Sequence, residues 1–158
     1  MRVGLGYDIH RLIDGRKLFL GGVEIPYIKG LEGYSDADVL LHAICDAILG
    51  AMGKDDIGIH FPNNDPQFKG ISSLELLHRV MVLAEKSNFR IINLDSTLIL
   101  EEPKILPFKA KMKRTIASVL GIDEEKVNVK ATTQEGVGAI GRGEAIAAYA
   151  VASVEEIK

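Results

Sequence analysis

A two-layer α+β fold, with helices packed on a mixed sheet and a β-hairpin inserted near the N-terminus, is what this sequence predicts. Three observations carry the expectation. The first ten residues alternate, with Val3, Leu5, Tyr7 and Ile9 on one side and Gly4, Gly6, Asp8 and His10 on the other. Two short apolar runs, 17–20 and 23–26, flank Gly21-Gly22, which reads as a tight hairpin turn. Three helix-period segments then lie among strand-like runs, giving the order β, hairpin, α, α, β, α, β, β.

Segment 31–35 reads as loop. Ser35 is the expected N-cap of the first helix, with Asp36 and Asp38 in its first turn, and the helix continues to Met52-Gly53. Turn residues including Gly58, Pro62, Asn63, Asn64 and Pro66 mark 55–70 as a loop. A second helix starts at Ser72 or Ser73, with Leu74, Leu77, Val80, Met81 and Ala84 at helical spacing. Segment 90–100 is strand-like, Pro107 opens a third helix, and Gly121 closes it as a left-handed cap. A strand over 127–133, a glycine-rich turn over 136–143 and a small-residue strand over 145–154 complete the chain.

The chain has 158 residues, 47% hydrophobic and 26% charged, which suits one domain over 1–158 with a single core. A net charge of -3 with scattered Lys and Arg argues against nucleic acid as the main partner. The single cysteine, Cys45, cannot form an internal disulfide. No apolar run approaches the roughly 20 residues that span a bilayer. The N-terminus, interrupted by glycine and acid, does not resemble a signal peptide. These features set the expectation of a cytoplasmic protein without a membrane partner.

Asp8 and His10, two apart on a strand, project from one face about 7 Å apart at Cα and can share a metal. Solvated strand polarity is the alternative. Asp38, His42 and Asp46 fall at i, i+4 and i+8 on an otherwise apolar helix. They form either a solvent-facing stripe or a set of buried groups that need partners. If helix and strand pack together, Asp8, His10 and His42 supply three ligands and leave a zinc ion an open fourth position. Asp38 and Asp46 are then candidates to orient imidazoles or loop amides. In the tail, Thr132-Thr133-Gln134-Glu135 and the glycines before Arg142 are sensible phosphate-binding parts, and Glu135 could hold magnesium.

In order along the chain stand Gly6-Tyr7-Asp8-Ile9-His10-Arg11, Ser35-Asp36-Ala37-Asp38-Val39-Leu40-Leu41-His42-Ala43 and Asp56-Ile57-Gly58. Then come Phe61-Pro62, Asp65-Pro66, Pro103-Lys104, Ala131-Thr132-Thr133-x-Glu135 and Gly141-Arg142-Gly143-Glu144. This set closely resembles the 2-C-methyl-D-erythritol 2,4-cyclodiphosphate synthase family of the non-mevalonate isoprenoid pathway. The resemblance implies a cyclase that folds a cytidine diphosphate-linked substrate back on itself and expels CMP. It implies zinc on Asp8, His10 and His42, with magnesium or manganese at Glu135 beside the diphosphate. It implies transition-state hydrogen bonding from Thr133 and Tyr34.

Substrate contacts carried over by the same resemblance are Asp8, Ile9, His10, Tyr34, Ser35, Asp56, Ile57, Gly58, Phe61, Pro62, Asn63, Asn64 and Asp65. Asp56 and Gly58 would bind the erythritol part. Leu100, Glu101, Glu102, Pro103, Lys104, Ile105, Leu106 and Thr132 would hold cytidine, with Thr133, Gln134, Glu135, Ala139 and Arg142 nearby. A homotrimer with a fold resembling the trimeric chorismate mutases, and active sites between subunits, is likewise implied. In it the small-residue strand would lie near a three-fold axis, with Arg142 and Glu144 lining the channel. Two positions depart from the family pattern. Tyr34 stands where His is usual, offering a neutral phenol, and Ala139 stands where many members carry a bulky aromatic. A metal-dependent phosphohydrolase and a non-catalytic trimeric binding protein are the competing readings.

Overall fold

The N-terminal alternation becomes a long strand, β1 (Arg2–Asp14), in the computed structural model, which describes residues 1–158. Two short strands, β2 (Leu18–Leu20) and β3 (Val23–Ile25), pair antiparallel as the expected hairpin, turning at Gly21 and Gly22, which both have positive φ. After β4 (Lys29–Leu31) come the helices α1 (Val39–Ala51), α2 (Ile57–His60) and α3 (Ser73–Lys86). Then follow β5 (Phe89–Ile99), α4 (Lys109–Leu120), β6 (Val127–Thr132), α5 (Gly138–Gly141) and β7 (Ala145–Glu156). The main sheet runs β4-β1-β7-β5-β6, with β5 and β6 parallel and the other pairs antiparallel. The α+β class and the mixed sheet of the sequence reading therefore stand.

Glycine sets how closely the two layers approach. A Cβ on Gly4 would lie 2.0 Å from the Ala47 carbonyl oxygen, and one on Gly6 would lie 1.8 Å from that of Ala43. Helix α1 thus rests directly on the glycine face of β1, with no side chain between them. Alanines extend the same surface, because Gly4, Gly6 and Asp8 are opposite Ala152, Ala150 and Ala148 of β7. Those three alanines are buried in the core beneath the helix layer. The opposite face of the sheet carries only the short α5 at one end, where Ile140 packs on Ala145 and Ala147. On the rest of that face Val3 and Leu5 are each 65% exposed, and Tyr7, Ile9, Tyr149 and Val151 continue an open apolar strip.

Five elements differ from the sequence expectation. Helix α1 begins at Val39, and its N-cap is Asp38, whose carboxylate accepts from the Leu41 amide. Ser35 is committed elsewhere, accepting from the Ala37 amide in a turn where Ala37 has φ 57°. The segment read as loop after position 30 contributes Leu31 to β4, a three-residue ladder too short for any periodicity to reveal. Short helices α2 and α5 occupy parts of the stretches read as loop and turn. Pro107 lies in a 3-10 turn, Leu106–Phe108, that leads into α4. The expected Ser72 cap and the left-handed Gly121 are both present. No helix is long and apolar enough to cross a membrane.

Candidate functional site

The close approach of α1 to β1 brings His42 over Asp8 and His10, just beyond the point where the glycine face ends. His42 is only 7% exposed and Asp38 is fully buried, so the polar stripe of α1 faces the protein and not solvent. The Asp8 Oδ2 atom lies 2.8 Å from His10 Nε2 and 3.0 Å from His42 Nδ1, and the two nitrogens are 3.2 Å apart. A tetrahedral zinc ion with bonds of about 2.0–2.1 Å sets its ligands roughly 3.3 Å apart, so this near-equilateral triangle fits one.

The far side of each imidazole fixes which nitrogen faces the centre. His10 Nδ1 donates to the Glu32 carbonyl oxygen at 2.7 Å, so the neutral ring carries its lone pair on Nε2, which faces Asp8 and donates to it only when the ring is protonated. Ser73 donates its hydroxyl proton to Asp36, so it accepts from His42 Nε2 at 2.9 Å. Ser35 Oγ stands 3.2 Å from the same nitrogen. His42 Nδ1 therefore also presents a lone pair to the centre. Burial raises the Asp8 carboxyl, but hydrogen bonds and charge from the two imidazoles prevail and lower it to about 2. Burial also works against a charged His10, yet its bond to Asp8 and the nearby carboxylate raise it above the usual histidine value. Two imidazole lone pairs and a carboxylate converging on one point form a cradle for a divalent cation.

Asp38 and Asp46 hold loop amides and touch neither imidazole. Asp38 accepts from Gly21, Gly22 and Leu41, fastening the hairpin turn to the start of α1. Asp46 accepts from the Ile57 amide at 2.8 Å, fixing α2 beside the cradle. Burial raises the Asp46 carboxyl against this bond, with help from Asp56 and Asp8. The partners that actually orient the imidazoles, namely Glu32, Ser73 and Asp36, escaped the sequence reading. In the sequence Asp36 reads as a first-turn acid of α1, Ser73 as a possible start of α3, and Glu32 as part of a loop.

A cavity of about 210 Å³ opens above the cradle. Of the expected substrate residues, Tyr34, Ser35, Ile57, Gly58, Phe61 and Asn63 line it, together with Gly33, Phe68, Ile71 and Leu76, which were not expected. Asp56 caps α2 by accepting from the Gly58 amide. The Tyr34 hydroxyl donates to the Asp65 carbonyl oxygen at 3.2 Å. Pro62, Asn64 and Asp65 belong to the adjoining segment without lining the cavity. Ile9 points to the other face of the sheet, where it shares a shallow depression with Ala139 and Glu144.

A second cavity, about 270 Å³, lies at the ends of β5 and β6. Leu100, Glu101, Pro103, Lys104, Ile105, Leu106, Thr132 and Thr133 line it, with Lys109 and Ala131. Glu102 precedes Pro103 across a cis peptide and does not line it. No residue lines both cavities. The Glu101 carboxylate accepts from the Gln134 amide at 2.8 Å and from Gly136 at 3.4 Å, while Thr133 Oγ1 accepts from the Glu135 amide. This turn leaves the Thr133 hydroxyl proton free to donate. Gln134, Glu135 and Arg142 are exposed, and Arg142 pairs with Glu144 at 2.8 Å.

An α+β scaffold with a convergent Asp-His-His cradle beside a cavity of mixed polar and apolar lining defines a protein with a candidate metal-dependent active centre. The particular family follows from comparison. Residues 1–155 match the YgbB family. The 2-C-methyl-D-erythritol 2,4-cyclodiphosphate synthase of Alkaliphilus metalliredigens is 61% identical over 155 residues, covering 98% of this chain and 97% of that protein. Among solved structures, the bifunctional IspDF of Campylobacter jejuni aligns with a TM-score of 0.95 and 40% identity. That alignment covers 99% of this chain but 42% of the longer one. IspF of Plasmodium falciparum in its CDP complex aligns with a TM-score of 0.86 and 36% identity, over 99% of this chain and 97% of that one. The chain belongs to the YgbB family, that of the 2-C-methyl-D-erythritol 2,4-cyclodiphosphate synthases.

Proposed function

We propose that this chain converts 4-diphosphocytidyl-2-C-methyl-D-erythritol 2-phosphate into 2-C-methyl-D-erythritol 2,4-cyclodiphosphate and CMP. The observation that carries the reading is the triangle of Asp8, His10 and His42 at the floor of the cavity. An oxygen of the 2-phosphate attacks the β-phosphorus, a new P–O bond closes the ring, and the bond to the bridging oxygen breaks. CMP leaves with that electron pair. The nucleophile belongs to the substrate, so catalysis reduces to positioning and charge neutralisation.

Zinc held by Asp8, His10 and His42 would supply Lewis-acid polarisation of a phosphate oxygen. Magnesium or manganese near Glu135 would offset charge on the diphosphate. The chain itself holds the erythritol part beside α2, whose position Asp46 fixes, with Ile57 and Gly58 on the cavity wall. Thr133, whose oxygen accepts from the Glu135 amide, would donate its hydroxyl proton to a phosphate, and Lys104 stands in the same cavity. The apolar floor of Leu100 and Ile105 suits the flat face of cytosine. The CDP-bound relative supports a cytidine-linked substrate.

We also propose one domain over 1–158 that assembles as a homotrimer, with the metal cavity of one chain facing the second cavity of its neighbour. Two observations support this: the cavities share no residue, and the sheet face bearing Val3, Leu5, Tyr7 and Tyr149 is apolar and open. A cytoplasmic setting suits the unpaired, buried Cys45 thiol. The test is incubation with the cytidyl substrate in oxygen-18 water. CMP should appear in step with a cyclic diphosphate free of label. Inorganic phosphate, or label in the product, would instead identify a hydrolase.

A further inference from the structure

One wall of the metal cavity is the 61–70 segment, through Phe61, Asn63 and Phe68. Few hydrogen bonds tie it to the rest of the chain. Between Pro62 and Gly70, every hydrogen bond is internal or to the adjoining Ile71, except two. Both of those go to Tyr34. Its hydroxyl donates to the Asp65 carbonyl oxygen at 3.2 Å, and its own carbonyl oxygen accepts from the Gly70 amide at 2.8 Å. The segment's other attachments are made by side chains: Phe68, 6% exposed, packs edge-on to Phe61 beneath the Arg79 guanidinium, and Phe61 rests against the main core.

Tyr34 is itself held from behind. Arg16 donates through Nη1 to the Gly33 carbonyl oxygen and through Nη2 to that of Ser35, each at 2.8 Å. This fork grips the chain on both sides of Tyr34. A half-buried guanidinium directed at two neutral carbonyls, with no carboxylate partner, is an unusual use of a charge. The gripped residues have little room to move. A Cβ on Gly33 would lie 2.8 Å from the Ala37 Cβ and 3.2 Å from His10 Cε1, and Ser35 touches His42.

We propose that Arg16 and Tyr34 form a latch that positions the 61–70 wall over the metal cavity. Arg16 is the anchor and Tyr34 the hook. Both are positioning residues, and the phenol acts on the wall before it acts on any phosphate. Its consequence for turnover rests on the cavity being the substrate site, while the latch itself does not. Losing the hook lets the wall swing outward, which weakens substrate capture more than the chemical step.

Deuterium exchange on the metal-loaded protein without substrate tests the latch directly, using peptides that span 61–71. Tyr34→Phe should speed exchange there about fivefold, and Arg16→Met by at least as much, with α1 peptides unchanged. Arg16→Lys keeps the charge and one of the two bonds, so it should fall between wild type and Arg16→Met; it also serves if Arg16→Met does not fold. In steady-state kinetics the same variants should raise KM more than they lower kcat. Unchanged exchange over 61–71 in either Tyr34→Phe or the Arg16 variants overturns the latch. A rise shared equally by α1 also overturns it, because it reports general loosening. Faster exchange in variants of a protein that makes no cyclic product would leave the latch standing and remove the proposed reaction instead.

Discussion

Around the metal cavity, each imidazole is braced from behind, the loops are hydrogen-bonded to buried carboxylates, and a helix covers the strand. At the second cavity the polar groups lie open, and Thr132, Thr133, Gln134, Glu135 and Lys104 are all exposed. The contrast separates a region that one chain finishes from one that the proposed trimer would complete with a neighbouring surface. A metal cradle has to be preorganised, because three ligands brought together without bracing repel or titrate away. A nucleotide-binding face can stay shallow if a neighbour closes over it.

The strongest test of this contrast combines damage to both regions. His42→Ala should abolish tight zinc binding and lower activity about a thousandfold or more. Thr133→Val should lower it about a hundredfold or more with zinc retained. Refolding the two variants together makes mixed assemblies. If each site joins halves from two chains of a cyclic oligomer, about a quarter of sites in an equal mixture are intact. Activity should then rise far above either parent. If mixed assemblies form and activity stays at the parental level, both cavities serve one chain and the contrast loses its meaning.

Asp38 tests how much the closed region depends on buried carboxylates. Asp38→Ala strips the acceptor from three amides, two of them in the hairpin turn, and should cost about 2–4 kcal/mol of stability by urea denaturation. Burial pushes this carboxyl up to about 7 against its three amide donors, with nearby Asp36 adding to the rise. A folded-state value above the unfolded one means that the fold favours the protonated form. Stability from this group is therefore full below about pH 4 and lost as pH rises to about 7. Asp38→Asn should flatten that slope, and an unaltered slope would place its origin elsewhere.

Ser73 carries a smaller effect confined to the cradle. Ser73→Ala removes the acceptor for His42 Nε2 and frees the ring to turn or to change tautomer. Zinc affinity, measured by competition with a chelating dye, should fall about 10- to 100-fold with the circular dichroism spectrum unchanged. Full affinity would show that Ser35 alone suffices to orient the ring.

Much of the closed region is legible in the sequence because it follows local periods. The two-residue period of β1 places Gly4, Gly6, Asp8 and His10 on one face, and the four-residue spacing of α1 adds His42 to it. What bracing requires is not local. Ser73 reaches His42 across 31 positions, and Arg16 grips Ser35 across 19. Residues of these types at those positions read as an ordinary cap and an ordinary surface cation. The same limit misplaced the first helix cap: Ser35 and Asp38 are both good caps, and only the packing of the hairpin decides for Asp38. In the open region the motif residues were found by resemblance. Their spacing alone does not tell a phosphate-binding turn from any other glycine-rich turn.

The smallest predicted effect concerns Glu101, and it measures how preorganised the open region is. Its carboxylate is the acceptor that holds the Gln134 and Gly136 amides, so it shapes the turn that presents Thr133. Cytidine contact is the expectation for this residue, which lines the second cavity, and holding the turn is a further task. The surroundings are largely exposed, so water can replace the lost acceptor. Glu101→Ala should therefore lower kcat/KM by roughly fivefold, equivalent to about 1 kcal/mol, and leave zinc binding unchanged. Glu101→Gln retains one acceptor oxygen and should recover part of the loss. A loss near that of Thr133→Val would mean that the turn must be fixed before any neighbour arrives. An effect below twofold would mean that the neighbouring chain, and not Glu101, sets the shape of this half of the site.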